Sequence, residues 1–169
     1  MRRLALPFVF ASLLPAQAAP PAPSSPPRVE FTVSQDLVRR VTQGDRVAEQ
    51  FVQGVKLVVP GDLLREEVGV RNVSGGVLRD VSVGMPVPRG TFFGGGATAT
   101  TGRWRVEYSA DDGRTYSATP KRRVTVSENG LSVTREVAAP VSEYTHVRWV
   151  LSELRAEETL KFSYRVRVK

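Results

Sequence analysis

Beyond residue 28 the chain alternates, with apolar side chains returning at every second position in short runs separated by Gly, Pro, Asn and Asp. Period two is the repeat of a strand with one buried face, whereas a helix returns its apolar positions every three or four residues. Residues 29–33, 64–72, 78–85, 123–127 and 131–137 carry this pattern. So do the sets Trp104, Val106, Tyr108, then Val147, Trp149, Leu151, and finally Leu160, Phe162, Tyr164, Val166, Val168. Residues 55–59 read as a further strand, while 37–41 and 47–52 suit either a strand or a short helical turn. Pro60-Gly61-Asp62, residues 72–76 and Pro86-Val87-Pro88 punctuate the runs, and Asn129-Gly130 is the strongest hairpin signal because both residues tolerate positive φ. The expected architecture is an all-β sandwich of about seven to nine strands. Residues 89–102, rich in Gly and Thr, are expected to form a long mobile loop suited to adaptable contacts.

The first residues follow a different logic. Arg2 and Arg3 precede an apolar run over 4–14, followed by small residues with Ala16 and Ala18 in an A-x-A pattern. That is the layout of a cleavable signal peptide, and the run is shorter than the ~20 residues a spanning helix needs. The expected organisation is a signal peptide over 1–19, a Pro-rich spacer over 20–27 and one domain over 28–169. An exported protein, periplasmic or extracellular and associated with the cell envelope, is the consequence, with no integral membrane segment after processing. An uncleaved anchor is the other reading of the same residues.

There is no cysteine, so disulfides, thiolate metal sites and cysteine nucleophiles are excluded. His146 is the only histidine, which rules out two-histidine metal sites and histidine relays. No serine has a base and an orienting group marked beside it. The acidic pairs Glu66-Glu67, Asp111-Asp112 and Glu157-Glu158 lack the alternate spacing of a calcium loop. No catalytic residue, metal site or cofactor is expected, and the chain reads as a non-enzyme.

Two short motifs have local explanations. Ser109-Ala110-Asp111-Asp112-Gly113-Arg114-Thr115-Tyr116 has the pattern of the Asp-box of β-propellers, but it occurs once, so a hairpin clamp is expected. Asn72-Val73-Ser74 matches a glycosylation acceptor and is read as a turn.

Three segments, taken in order, resemble the conserved repeat domain of bacterial cell-surface proteins, a domain of unknown function with an immunoglobulin-like fold. They are residues 58–74 around Pro60-Gly61-Asp62, residues 78–91 with Pro88-Arg89-Gly90, and residues 149–159 before the last strand. The family usually places glycine in that last loop, where this chain has Glu157-Glu158. What the resemblance implies is an immunoglobulin-like β-sandwich acting as a structural or interaction module of the envelope, with an envelope protein or polymer as partner.

Charge offers an alternative. The formal net charge is +7, falling to +5 without Arg2 and Arg3, and arginine predominates among the cations. If the last two strands pair as a hairpin beside residues 64–72, as the resemblance implies, one outer face collects Arg65, Arg71, Arg148, Lys161, Arg165 and Arg167, opposed mainly by Glu67. Such a face, with Lys121-Arg122-Arg123 at a loop, could bind nucleic acid or an anionic envelope polymer, or could keep a soluble sheet from associating edge to edge.

Overall fold

Strands account for almost all regular structure because nearly every run of alternation finds an antiparallel partner. The computed structural model describes residues 28–44 and 46–169; the expected signal peptide and Pro-rich spacer lie outside them. Ten strands follow in order: β1 (Val29–Gln43), β2 (Arg46–Gln53), β3 (Leu63–Asn72), β4 (Leu78–Pro86), β5 (Thr91–Gly95), β6 (Trp104–Ser109), β7 (Lys121–Glu128), β8 (Leu131–Ala138), β9 (His146–Leu154) and β10 (Thr159–Val168). A single 3-10 turn, Val141–Glu143, precedes β9. The two ambiguous segments are strands, forming the far half of β1 and most of β2, whereas residues 55–59 are an irregular connection. No helix among the described residues is long and apolar enough to cross a membrane.

The strands form three antiparallel sheets, ordered β2-β1-β3-β10-β5, β4-β9-β6 and β7-β8. In the first sheet Leu64, Val68, Val70, Phe162, Tyr164 and Val166 are buried, and in the second Val83, Met85, Val147, Trp149 and Leu151 meet them. The Trp149 ring stacks on Phe162 at 5.1 Å, and Trp104 meets the same ring edge-on at 5.3 Å. Polar ends of these aromatics are satisfied, as buried polar groups require: Trp149 Nε1 donates to the Thr98 carbonyl at 3.0 Å and Tyr164 Oη to that of Pro86 at 2.6 Å.

The last two strands do not pair. β9 lies between β4 and β6, and β10 lies between β3 and β5 in the opposite sheet. In a seven-strand immunoglobulin domain the final strand sits beside the one before it. Here the chain crosses between sheets after Leu154, so β3 pairs with β10 and β4 with β9, closing the sandwich around partners distant in sequence.

Asn72 fixes that crossing. Fully buried at the end of β3, it donates Nδ2 to the carbonyls of Gly76 (2.6 Å), Leu154 (2.9 Å) and Arg155 (2.9 Å). Its Oδ1 accepts from Ser74 N at 2.9 Å and Ser74 Oγ at 2.7 Å. One side chain therefore joins the β3–β4 turn to the β9–β10 loop, and the acceptor-like motif is a structural tie.

Candidate interaction surfaces

The register separates the expected basic set. On β3 and β10 Arg65 lies opposite Arg165, and Arg71, Lys161 and Arg167 alternate outward on the same strands. Arg148 is elsewhere, pointing out of the second sheet on β9, because β9 and β10 belong to different sheets. Five of the six cations thus share the outer face of the first sheet, and the sixth is on the far side of the sandwich.

Carboxylates accompany most of them. Arg65 is held by Asp36 at 2.5 Å, with Glu67 at 3.8 Å, and its guanidinium lies 3.8 Å over the Phe51 ring. Arg71 pairs with Glu157 at 2.6 Å, Lys161 with Glu67 at 3.0 Å, and Arg165 makes a two-point contact with Glu49 at 3.0 and 2.6 Å. Arg167 donates to the Gly61 carbonyl at 2.9 Å. Glu67 is therefore joined by Asp36, Glu49 and Glu157, acids that strand pairing and the curl of β2 bring in from elsewhere in the sequence. Arg148 meets Glu107 at 2.6 Å and stacks on Tyr116 at 3.8 Å. Burial alone would raise the Glu107 pKa, but hydrogen bonds from Arg105 and Arg148 outweigh it and leave the carboxyl below its usual value. Lys121, Arg122 and Arg123 sit at the base of β7 rather than in a loop, where Arg122 pairs with Glu143 and Arg123 with Glu136.

The Asp-box-like segment is a closed knot. Asp111 Oδ1 accepts from Ser109 Oγ at 2.7 Å and Thr115 N at 2.9 Å, and Oδ2 accepts from Thr115 Oγ1 at 2.6 Å. These bonds from Thr115, then Ser109, hold its carboxyl well below the ordinary carboxylate range. A Cβ on Gly113 would stand 3.0 Å from Tyr116 Oη and 3.5 Å from the His146 ring, so glycine serves both space and its φ of 79°.

Residues 89–102 differ from expectation. Residues 91–95 form β5, Phe93 is buried, and Thr98 is stitched to Ser163 through Thr98 N to Ser163 O at 2.8 Å and Ser163 N to Thr98 Oγ1 at 2.9 Å. Trp104 Nε1 also donates to the Ala99 carbonyl. Glycine and threonine here serve close strand approach and side-chain-to-backbone bonding, which composition alone does not distinguish from looseness.

Period-two reasoning places Phe31 and Val33 on the inward face of β1, opposite Val70 and Val68. Yet they are 56% and 66% exposed, because the second sheet ends at β4 and no described strand lies above β1. The result is a groove of about 520 Å³ between β1 and the β4 edge, lined by Phe31, Val33, Val68, Met85, Pro86 and Pro88 with Glu66 at its base. Glu66 is raised above the ordinary carboxyl range by burial, partly countered by the hydrogen bond from Gln35 Nε2 at 2.5 Å. A second, more open depression of about 770 Å³ has a mixed charged lining, Arg89 and Lys169 against Asp112 and Glu143.

The molecule is thus an all-β protein of three antiparallel sheets, two of them packed face to face, with an apolar groove along the β4 edge. No family model matches the chain, and no curated protein and no solved structure matches it.

Proposed function

We propose that the chain is a non-enzymatic, exported module of a bacterial cell envelope that acts by binding. The observation that carries this reading is the uncovered inward face of β1: large apolar side chains left exposed beside polar surroundings mark interaction sites. The polar clusters, by contrast, have structural employment, since Asn72 ties two loops, Asp111 closes a turn and Arg65, Arg71, Arg148 and Arg165 meet acids. Export is supported by the sequence pattern of residues 1–19. The resemblance to the conserved repeat domain of cell-surface proteins supports the envelope role through its turn motifs, and an immunoglobulin-like sandwich is the finer reading of the fold. The buried Trp149 between two sheets favours that finer reading, while the place of β10 departs from it.

The polyanion alternative is the weaker one, because the outer face of the first sheet carries nearly as many acids as bases. Retention on heparin or DNA distinguishes the two: elution at low salt, unchanged in Arg165→Ser and Arg167→Ser, is expected for a balanced face. The test of the leading reading is fractionation of the tagged full-length protein with mass spectrometry of its N-terminus. Processing after Ala18 or Ala19, with the product in periplasmic, envelope or secreted fractions, is expected, and an unprocessed cytoplasmic protein would refute export.

A further inference from the structure

The second sheet has three strands against the first's five, and at Phe31 and Val33 the uncovered part of β1 extends past the β4 edge, a place with a definite chemistry. β4 pairs with β9 along one edge only. Natural sheets blunt such edges with charge, proline or irregular backbone. On β4 those devices sit at the ends: Arg79 and Asp80, the latter at φ 52°, at one, and Pro86 at the other. Between them Val81-Ser82-Val83-Gly84-Met85 carries no charge and offers its outer backbone groups. A strand laid there would stand above β1, and every second side chain would point down onto Phe31, Val33 and Met85.

Glu66 adds selectivity. Its carboxyl lines the groove from β3, Gln35 occupies one oxygen at 2.5 Å, and no other hydrogen bond or ion pair reaches it among the described residues. An acid so placed is left without a counter-charge when the groove is covered by apolar groups, an arrangement that costs free energy. We propose that the β4 edge and the groove beneath it form a strand-docking site for an extended segment of a partner protein, one that alternates apolar side chains with a Lys or Arg directed at Glu66. A second copy paired through the same edge fits less well: β4 is uncharged from Val81 to Met85 and brings no cation to Glu66. The site gives the binding-module reading, on which it rests, a place and a partner chemistry.

The probes are two acetylated synthetic peptides of about nine residues, alternating threonine with valine, whose central inward residue is lysine in one and glutamate in the other. They are titrated into the protein with backbone amide shifts as readout. Saturable shifts confined to 81–85 and the neighbourhood of Phe31 and Val33 are expected, with the glutamate peptide weaker by about tenfold or more. Phe31→Ser with Val33→Ser, both at exposed positions, should weaken the lysine peptide by about tenfold. Glu66→Gln, which keeps the shape of the side chain, should abolish the preference between the two. No saturable shift at millimolar peptide, shifts elsewhere, or indifference to the central residue overturns the proposal. So does a dimer in sedimentation velocity that protects 81–85, since a second copy then fills the edge. Peptide binding by a protein found unprocessed in the cytoplasm sinks the export reading and leaves the groove standing; an exported protein that ignores both peptides does the reverse.

Discussion

Strands β8 and β9 are neighbours in sequence and similar in length, yet they belong to different kinds of structure. β7 and β8 share an eight-pair ladder with no buried side chain on either strand. β9 has a ladder on each edge, to β4 and β6, and buries Val147, Trp149, Leu151 and Leu154 completely. A backbone hydrogen bond adds only ~1 kcal/mol net, whereas burying a large apolar side chain contributes about 1.5–3 kcal/mol. Pairing alone thus gives the hairpin its shape but not its permanence, for an isolated two-stranded ladder is marginal in water. β9 is the member on which the fold depends.

The sharpest way to break that contrast is at its extremes. Trp149→Ala removes the ring stacked on Phe162 and leaves a cavity between the sheets; a loss of about 3–5 kcal/mol is expected in urea unfolding. A loss near that of a surface change would mean that the two sheets are not held together at β9. Next in size is Asn72→Ala, which removes the Asn72 amide from the buried Leu154 carbonyl and frees the β3–β4 turn, while the Arg155 carbonyl keeps Glu158 N at 3.1 Å. About 2–3 kcal/mol is expected, since losing a partner at a buried polar group costs roughly 1–3 kcal/mol and the bonds that tie the two loops together are lost with it. Asn72→Asp should be no better than alanine, because it replaces the donating amide with an acceptor facing carbonyls.

Glu66 tests the interior from its open side. Its pKa is raised by burial, so between the unfolded value, near 4.5, and the folded value the native state holds the proton that the unfolded chain has lost. Stability should therefore fall as pH rises through that window and level off above it. Glu66→Gln should remove this slope, as read from denaturation midpoints across pH. Persistence of the slope would place its origin in another group. Asp111 has the opposite sign: its lowered pKa makes its contribution present above the unfolded value and lost as pH falls, so Asp111→Asn should flatten the acid limb.

The same contrast explains what could be read from residues alone. Hairpin β7–β8 was legible because its cause is local: Asn129 and Gly130 take φ of 51° and 78°, the left-handed pair that a two-residue turn demands. Inward and outward faces of β3, β9 and β10 were legible for the same reason, as period two is a property of each strand by itself. Which strands pair was not, because β10 meets β3 across some ninety residues, and no short-range signal distinguishes that from a β9–β10 hairpin. The misplacement of Arg148 follows directly from that error. The groove was hidden too, for Phe31 and Val33 read as core residues and become surface only when the second sheet stops at β4. Glu157 stands between the two cases: Glu157-Glu158 was notable only through the resemblance, as a loop without the glycine expected there, and the Glu157 backbone takes φ 59°.

The smallest expected effect is at the hairpin tip. Asn129→Ala puts an ordinary side chain where φ is positive, a strain of roughly 1–2 kcal/mol if the native turn is kept. β7–β8 need not keep it. With no core to hold it, the hairpin can fray down to its base, where Ala139 N bonds the Pro120 carbonyl and Arg122 meets Glu143, and so release the strain without disturbing either large sheet. Global unfolding should therefore shift by no more than ~0.5 kcal/mol, the scale of a surface change. Amide exchange should rise through β7 and β8 while that of β9 stays slow. A global loss matching the full strain would mean that the hairpin unfolds with the sandwich as one unit, and that its ladder is anchored by contacts beyond its base.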